Sequence, residues 1–192
     1  MEEKIEALKK EHEETLKTFG FDDKLPKLVT KGGKINIIGK RWIIMNTDSF
    51  PGDMIKLNVL GDKLAKEVLY WFGHVYGEGA VERYLSMGIP KEMLLNFIGA
   101  ILALFLGWGV PEFIESDFEK GRLVVKVYDD FETESERIKN IEPSSNYIRG
   151  LFAGILSKLI GAKAYATAEF KDGATVIVVE KVEHYKANLK LV

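Results

Sequence analysis

The chain of 192 residues contains no cysteine. Disulfides, thiolate nucleophiles and cysteine-ligated zinc are therefore excluded, whatever the fold. An excess of one charge is also missing: 27 Lys and Arg against 29 Asp and Glu leave a net charge of −2. That balance offers no basic footprint for nucleic acid. Long hydrophobic runs are nearly absent. Residues 93–110, MLLNFIGAILALFLGWGV, form a stretch of 18 without charge, short of the about 20 apolar residues of a spanning helix. Asn96, Gly99 and the closing Gly107-Trp108-Gly109 interrupt it further, so it reads as a buried central helix and no membrane span is expected. The N-terminal MEEKIEALKK lacks the apolar core of a secretory signal, and a cytoplasmic location is expected.

Motifs of chemistry are missing too. GHVYGEGAVERY has no P-loop lysine and follows no strand; no G-x-S-x-G occurs, and Ser144 and Ser145 read as helix caps. The three histidines, His12, His74 and His184, are far apart. Glu180, Glu183 and His184 are close in sequence, but neighbours on a strand point opposite ways, and no metal is expected there. Residues 129–140, DDFETESERIKN, read as a solvated connection, too polar for the core, where Asp129 and Asp130 should keep ordinary pKa values. No catalytic constellation, cofactor site or metal site is read, and an enzyme is not expected.

What is present is the composition of a soluble globular protein, 46% hydrophobic and 29% charged. Residues 2–19 carry Ile5, Leu8, Leu16 and Phe19 on one thin stripe of a charged helix, suited to packing on the body or to pairing with a second copy. After a linker, short runs around Lys31-Gly32-Gly33 and Gly39-Lys40 read as strands. Residues 62–76 form a helix with a broad apolar face, expected to stop at Gly77-Glu78-Gly79 before a second helix over 80–87. A hairpin over 110–128 follows the uncharged helix.

Beyond the charged connection, Pro143 precedes an amphipathic helix in which Ile148, Leu151, Phe152, Ile155, Leu156 and Leu159 recur at helical spacing. Gly150 and Gly154 lie beside that face at a cost of about 1 kcal/mol each in helix propensity. Either another backbone or a ligand must approach there. Gly161 ends the helix. Strands over 163–170 and 174–182 meet at Asp172-Gly173, a hairpin signal. Hairpins separated by helices predict an α+β fold, an antiparallel sheet packed against a layer of helices. Residues 1–30 are read as an N-terminal helix and linker, and 31–192 as one globular unit.

The segment NYIRGLFAGILSKLIGAKAYATAEF followed by KDG resembles the C-terminal signature of 4-vinyl reductase domains. These are small-ligand or hydrocarbon-binding modules, similar in fold to subunits of the vesicle-tethering transport protein particle. Asn146-Tyr147-Ile148-Arg149-Gly150 with Gly154 is similar to the family's Y-x-R-G-x-x-x-G. Gly107-Trp108-Gly109 is similar to its G-W-G, and Glu169 with Asp172-Gly173 to its acidic-then-C-G end. The resemblance spans residues 40–182. It implies a pocket between helices and sheet for an apolar or aromatic ligand, near Trp108, Tyr147 and Glu169. The aromatic pattern of the helices adds Trp71, Phe72, His74, Phe97 and Phe152, which serve equally well as plain core.

In sensory relatives the resemblance implies a zinc ion on cysteines and a glutamate. Ser145 and Asp172 stand at the cysteine positions here, beside Glu169, a poor oxygen-only zinc site. A homodimer is expected, either as a ligand-binding sensor or carrier or as a scaffold without ligand; an accessory role in tetrapyrrole metabolism is a further option. No nicotinamide or flavin site supports reductase chemistry.

Overall fold

The computed structural model describes residues 1–20, 29–31, 34–37, 40–42, 45–47, 49–56 and 61–182. Helix α1 (Glu2–Thr18) precedes a small antiparallel sheet, β1 (Val29–Lys31), β2 (Lys34–Ile37) and β3 (Lys40–Trp42). Next come a short α2 (Gly52–Lys56) and the long α3 (Asp62–Ser86). Helix α4 (Leu94–Ile101) runs into a π-helical segment, Leu102–Leu106. Strands β4 (Val110–Asp117) and β5 (Arg122–Tyr128), helices α5 (Phe131–Ile138) and α6 (Asn146–Ile160), and strands β6 (Ala164–Lys171) and β7 (Ala174–Lys181) complete the order. The main sheet is antiparallel, β4-β5-β7-β6, as the α+β reading expected. No described helix is long and apolar enough to cross a membrane. The expected linker, within 21–28, and the end of the chain lie outside the described residues.

Alternation along the strands sets the two faces of the sheet. Leu123, Val125 and Val127 of β5, Ile177 and Val179 of β7, and Ala164 and Ala166 of β6 are buried, while Thr167 and Glu169 are exposed on the other side. Helix α6 lies against that buried face through Leu151, Phe152, Ile155 and Leu156, all fully buried. At the β6–β7 turn, Asp172 and Gly173 both take positive φ, 52° and 78°, the pairing that matches strand twist in a two-residue hairpin. Two donors at the start of the free edge of β6 are met by side chains: Ala164 N–H donates to Ser157 Oγ and Ala166 N–H to Tyr70 Oη. Edge donors satisfied in this way cannot recruit another strand.

The tightest packing joins α3 to α6. A methyl group at Gly150 would sit 2.0 Å from the Tyr70 carbonyl oxygen, and one at Gly154 2.0 Å from that of His74. In return, Gly73 faces the Tyr147 carbonyl at 2.0 Å and Gly77 that of Leu151 at 2.1 Å. The two helices run parallel, since partners advance together along both. Backbone on backbone, not a ligand, is what these glycines admit. The expected stop at Gly77-Glu78-Gly79 is thereby corrected: α3 continues unbroken to Ser86, because Gly77 serves the crossing and not a turn.

Helix α1 packs on the body, not on a free surface. Ile5, His12 and Leu16 are buried against α4 and β4, and His12 Nε2 bonds the Pro111 carbonyl at 3.0 Å.

Candidate functional site

Residues 129–140 are the main departure from the sequence reading. They contain helix α5 with its cap Asp130, and the polar side chains of Asp130, Glu132, Thr133, Ser135 and Glu136 are all buried. Asp130 caps the helix, accepting the Glu132 N–H at 3.0 Å. Its Oδ2 also accepts the hydroxyls of Ser145 (2.5 Å), Thr175 (2.8 Å) and Thr133 (3.1 Å). Glu132 accepts the N–H groups of Tyr147 and Ile148, both at 3.0 Å. Glu136 takes those of Ser144 and Ser145 and the Ser144 hydroxyl. The first amides of α6 are thus capped by carboxylates from α5. Ser145 occupies the N-cap position without accepting from its own helix, which corrects the expected serine cap.

Placing carboxylates at a helix N-terminus is favourable, but burial opposes the charge. It pushes Asp130, Glu132 and Glu136 up from the usual carboxylate range. Glu132 rises furthest, raised also by the charges of Asp130 and Glu136. The ordinary pKa expected for Asp130 is therefore not what its surroundings give.

This clamp fixes Tyr147 at the centre of an aromatic cluster. The Tyr147 ring meets Trp108 at 5.3 Å, Phe72 at 6.0 Å, Phe131 at 6.3 Å and Tyr76 at 6.4 Å between centroids. Trp108 in turn meets Tyr76 at 5.3 Å and Phe131 at 5.9 Å. Phe50 stacks on Phe131 from outside. Such separations suit edge-to-face and offset ring pairs. Trp108 is positioned by the π-helical segment: Gly107 turns the chain at φ 62°, and Trp108 N–H bonds back to the Leu102 carbonyl. Single π turns inside helices recur at functional sites. Tyr147 is buried and Trp108 half-buried. Burial holds both tyrosines neutral, with Tyr76 pushed up to about 12 and Tyr147 raised further. Among the described residues the Trp108 indole N–H has no acceptor.

The residues singled out from sequence divide accordingly. Trp108 and Tyr147 meet, with Phe72 at their edge. Trp71 and Phe72 are largely exposed on the outer face of α3. His74 is buried with Nε2 3.3 Å from Ser157 Oγ, and burial lowers its pKa. Phe97 packs on Phe19 and Tyr84, and Phe152 on Phe113, in other parts of the core. Glu169 is exposed on the outer face of β6. Tyr76 was left out of the site read from sequence, and the other members missed were Phe131 and the carboxylates of α5. A cap aspartate before a glutamate pair at i, i+4 was their only sequence signal.

The implied zinc ligands do not fit a metal. The Ser145 hydroxyl is committed to Asp130, while Glu169 and Asp172 are exposed. No cluster of three metal-binding side chains occurs among the described residues. A separate cleft of about 480 Å³ opens beside α5, lined by Asp129, Arg137, Ile138 and Phe170. The Arg137 guanidinium lies 5.2 Å from the Phe170 ring centre.

No protein-family model matches the chain, and no curated protein matches it in sequence. Among solved structures, it is similar to the phenol-responsive sensory domain of the transcription activator PoxR, crystallised with phenol. The TM-score is 0.69 at 17% identity, covering 86% of this chain and 90% of that one. The likeness is one of fold.

Proposed function

We propose that the chain is a cytoplasmic sensory module that binds a small aromatic molecule, of the 4-vinyl reductase domain type. The observation that carries this reading is the convergence of Tyr76, Trp108, Phe131 and Tyr147 at the junction of three helices. The fold is shared with a domain whose structure was solved with phenol. Apolar walls with a few polar groups are the usual make-up of a small-molecule site. Here the rings supply the walls, and the Trp108 N–H supplies the polar group. A one-ring ligand burying about 200 Å² gains roughly 5 kcal/mol at ~25 cal/mol/Å². Ordering costs remove part of that, which leaves affinities at about the millimolar level. The module binds and carries out no chemistry of its own.

Calorimetric titration with phenol and alkylated benzenes tests the reading. Binding is expected for the wild-type chain, with Trp108→Ala weakening it at least tenfold. Equal affinity in Trp108→Ala, or no heat for any ring compound at millimolar concentration, overturns it. The second reading, a structural scaffold without ligand, draws on the mutual contact of the cluster rings, and absence of binding would favour it.

A further inference from the structure

The Arg149 guanidinium on α6 is a charge without a counter-charge. Its Nε is buried and meets no acceptor. No carboxylate of the described residues forms an ion pair with it. Arg122, half-buried like Arg149, is paired with both Glu115 and Glu180. Pairing of that kind is the rule for charge drawn out of water, because desolvation otherwise opposes it. Side chains link Arg149 to one carboxylate, Glu136, only by way of Asn146 and Ser144. Glu136 is itself spent on the amides of Ser144 and Ser145. Yet the guanidinium is not left to swing out to water. Nη2 donates to Oδ1 of the fully buried Asn146 at 2.6 Å, and Cζ lies 5.4 Å from the Tyr70 ring centre. The fork is thus held in position with most of its five N–H donors unspent among the described residues.

We infer that Arg149 is the receptor of a second ligand site, one for a small aromatic carboxylate. A guanidinium presents parallel N–H groups that match the two oxygens of a carboxylate, and its one charge balances the single charge of that acid. The walls beside it are rings. Tyr70 lies 4.9 Å from Tyr165 and 5.4 Å from Trp71 between centroids. Tyr165 is half-buried and Trp71 is 53% exposed, so a ring carried by the acid has aromatic surface to cover. Trp71 also belongs to an apolar stripe on α3, in which Leu64, Val68, Phe72 and Val75 are 44% to 65% exposed. An aliphatic acid would find the charge without the stacking, and a neutral phenol the stacking without the charge. The aromatic carboxylate uses both. Arg149 and Tyr147 flank the α3 crossing from opposite sides, about 160° apart around α6 at 3.6 residues per turn. The site therefore stands apart from the ring cluster and does not depend on a ligand there.

Thermal melts of the full chain, in buffer free of carboxylate and phosphate, test the proposal with benzoate and acetate as probes. Millimolar benzoate should raise the melting temperature of the wild type by several degrees, and acetate should raise it much less. Arg149→Met should abolish the benzoate shift, and Trp71→Ala should weaken it. Without benzoate, Arg149→Met should melt no lower than the wild type, because an unpaired, partly desolvated charge has been removed. An arginine that only braces α6 gives the opposite result, and a markedly lower melt of Arg149→Met overturns the proposal. So does a wild type that ignores benzoate, a shift that survives Arg149→Met, or an equal shift with acetate. Trp108→Ala should keep the benzoate shift. That result separates this site from the ring cluster, whereas loss of the shift in Trp108→Ala assigns benzoate to the rings and overturns the second site.

Discussion

At Gly150 and Gly154 a single methyl group decides whether α3 and α6 can meet. A Cβ at Gly154 would lie 2.0 Å from the His74 carbonyl oxygen, and neither backbone can withdraw without moving a helix. Gly154→Ala should therefore cost about 1–3 kcal/mol through overpacking. Gly79 has nothing within 4 Å of an added Cβ, so Gly79→Ala should gain about 0.5–1 kcal/mol by raising helix propensity. Urea unfolding of the pair checks both signs, and equal effects would remove the close-packing account. Sequence alone showed that Gly150 and Gly154 needed a close neighbour. It could not show that the Tyr70 and His74 carbonyls were that neighbour, with Gly73 and Gly77 admitting α6 in return, because a glycine that admits a backbone and a glycine that ends a helix look the same in one chain. For similar reasons Phe97 and Phe152 could not be separated from Trp108 and Tyr147. All sit on apolar faces, and only tertiary packing sorts them.

Helix α5 extends the argument to an element whose inward face is polar. Hydropathy located α6, the Asp172-Gly173 hairpin and the strand alternation, since each follows apolar periodicity or turn chemistry. It missed α5 because Glu132 and Glu136 are buried for their acceptor oxygens, not for apolar surface. The buried carboxylates predict an unusual pH response. Their folded pKa values are raised, so the stability they contribute is fully present below the unfolded value and lost as pH rises through the folded one. His12 and His74 are lowered from 6.5 by burial. Their contribution is present above that value and lost as pH falls below it. Above 6.5 the lowered histidines stay neutral, and the melting temperature should rise as acidification carries the pH down through the raised carboxylate values. Glu132→Gln, which cannot take up the proton, should flatten that rise. A wild-type melting temperature that falls on acidification above 6.5 would contradict the clamp.

At the scale of the whole molecule, one helix serves two surfaces. The inner side of α3 carries Tyr76 into the ring cluster and Gly73 and Gly77 into the crossing, while its outer side carries the apolar stripe. A ligand that shifts Tyr147 or Tyr76 acts on both helices of the α3–α6 crossing, and packed helices respond in discrete steps. The central claim, however, is that the rings hold a ligand at all. Native mass spectrometry of the purified chain, before and after incubation with phenol, with denaturing extraction of any bound molecule, tests it most directly. The account predicts an added mass of a small aromatic compound that Trp108→Ala no longer retains. A bare protein mass under both conditions would contradict it.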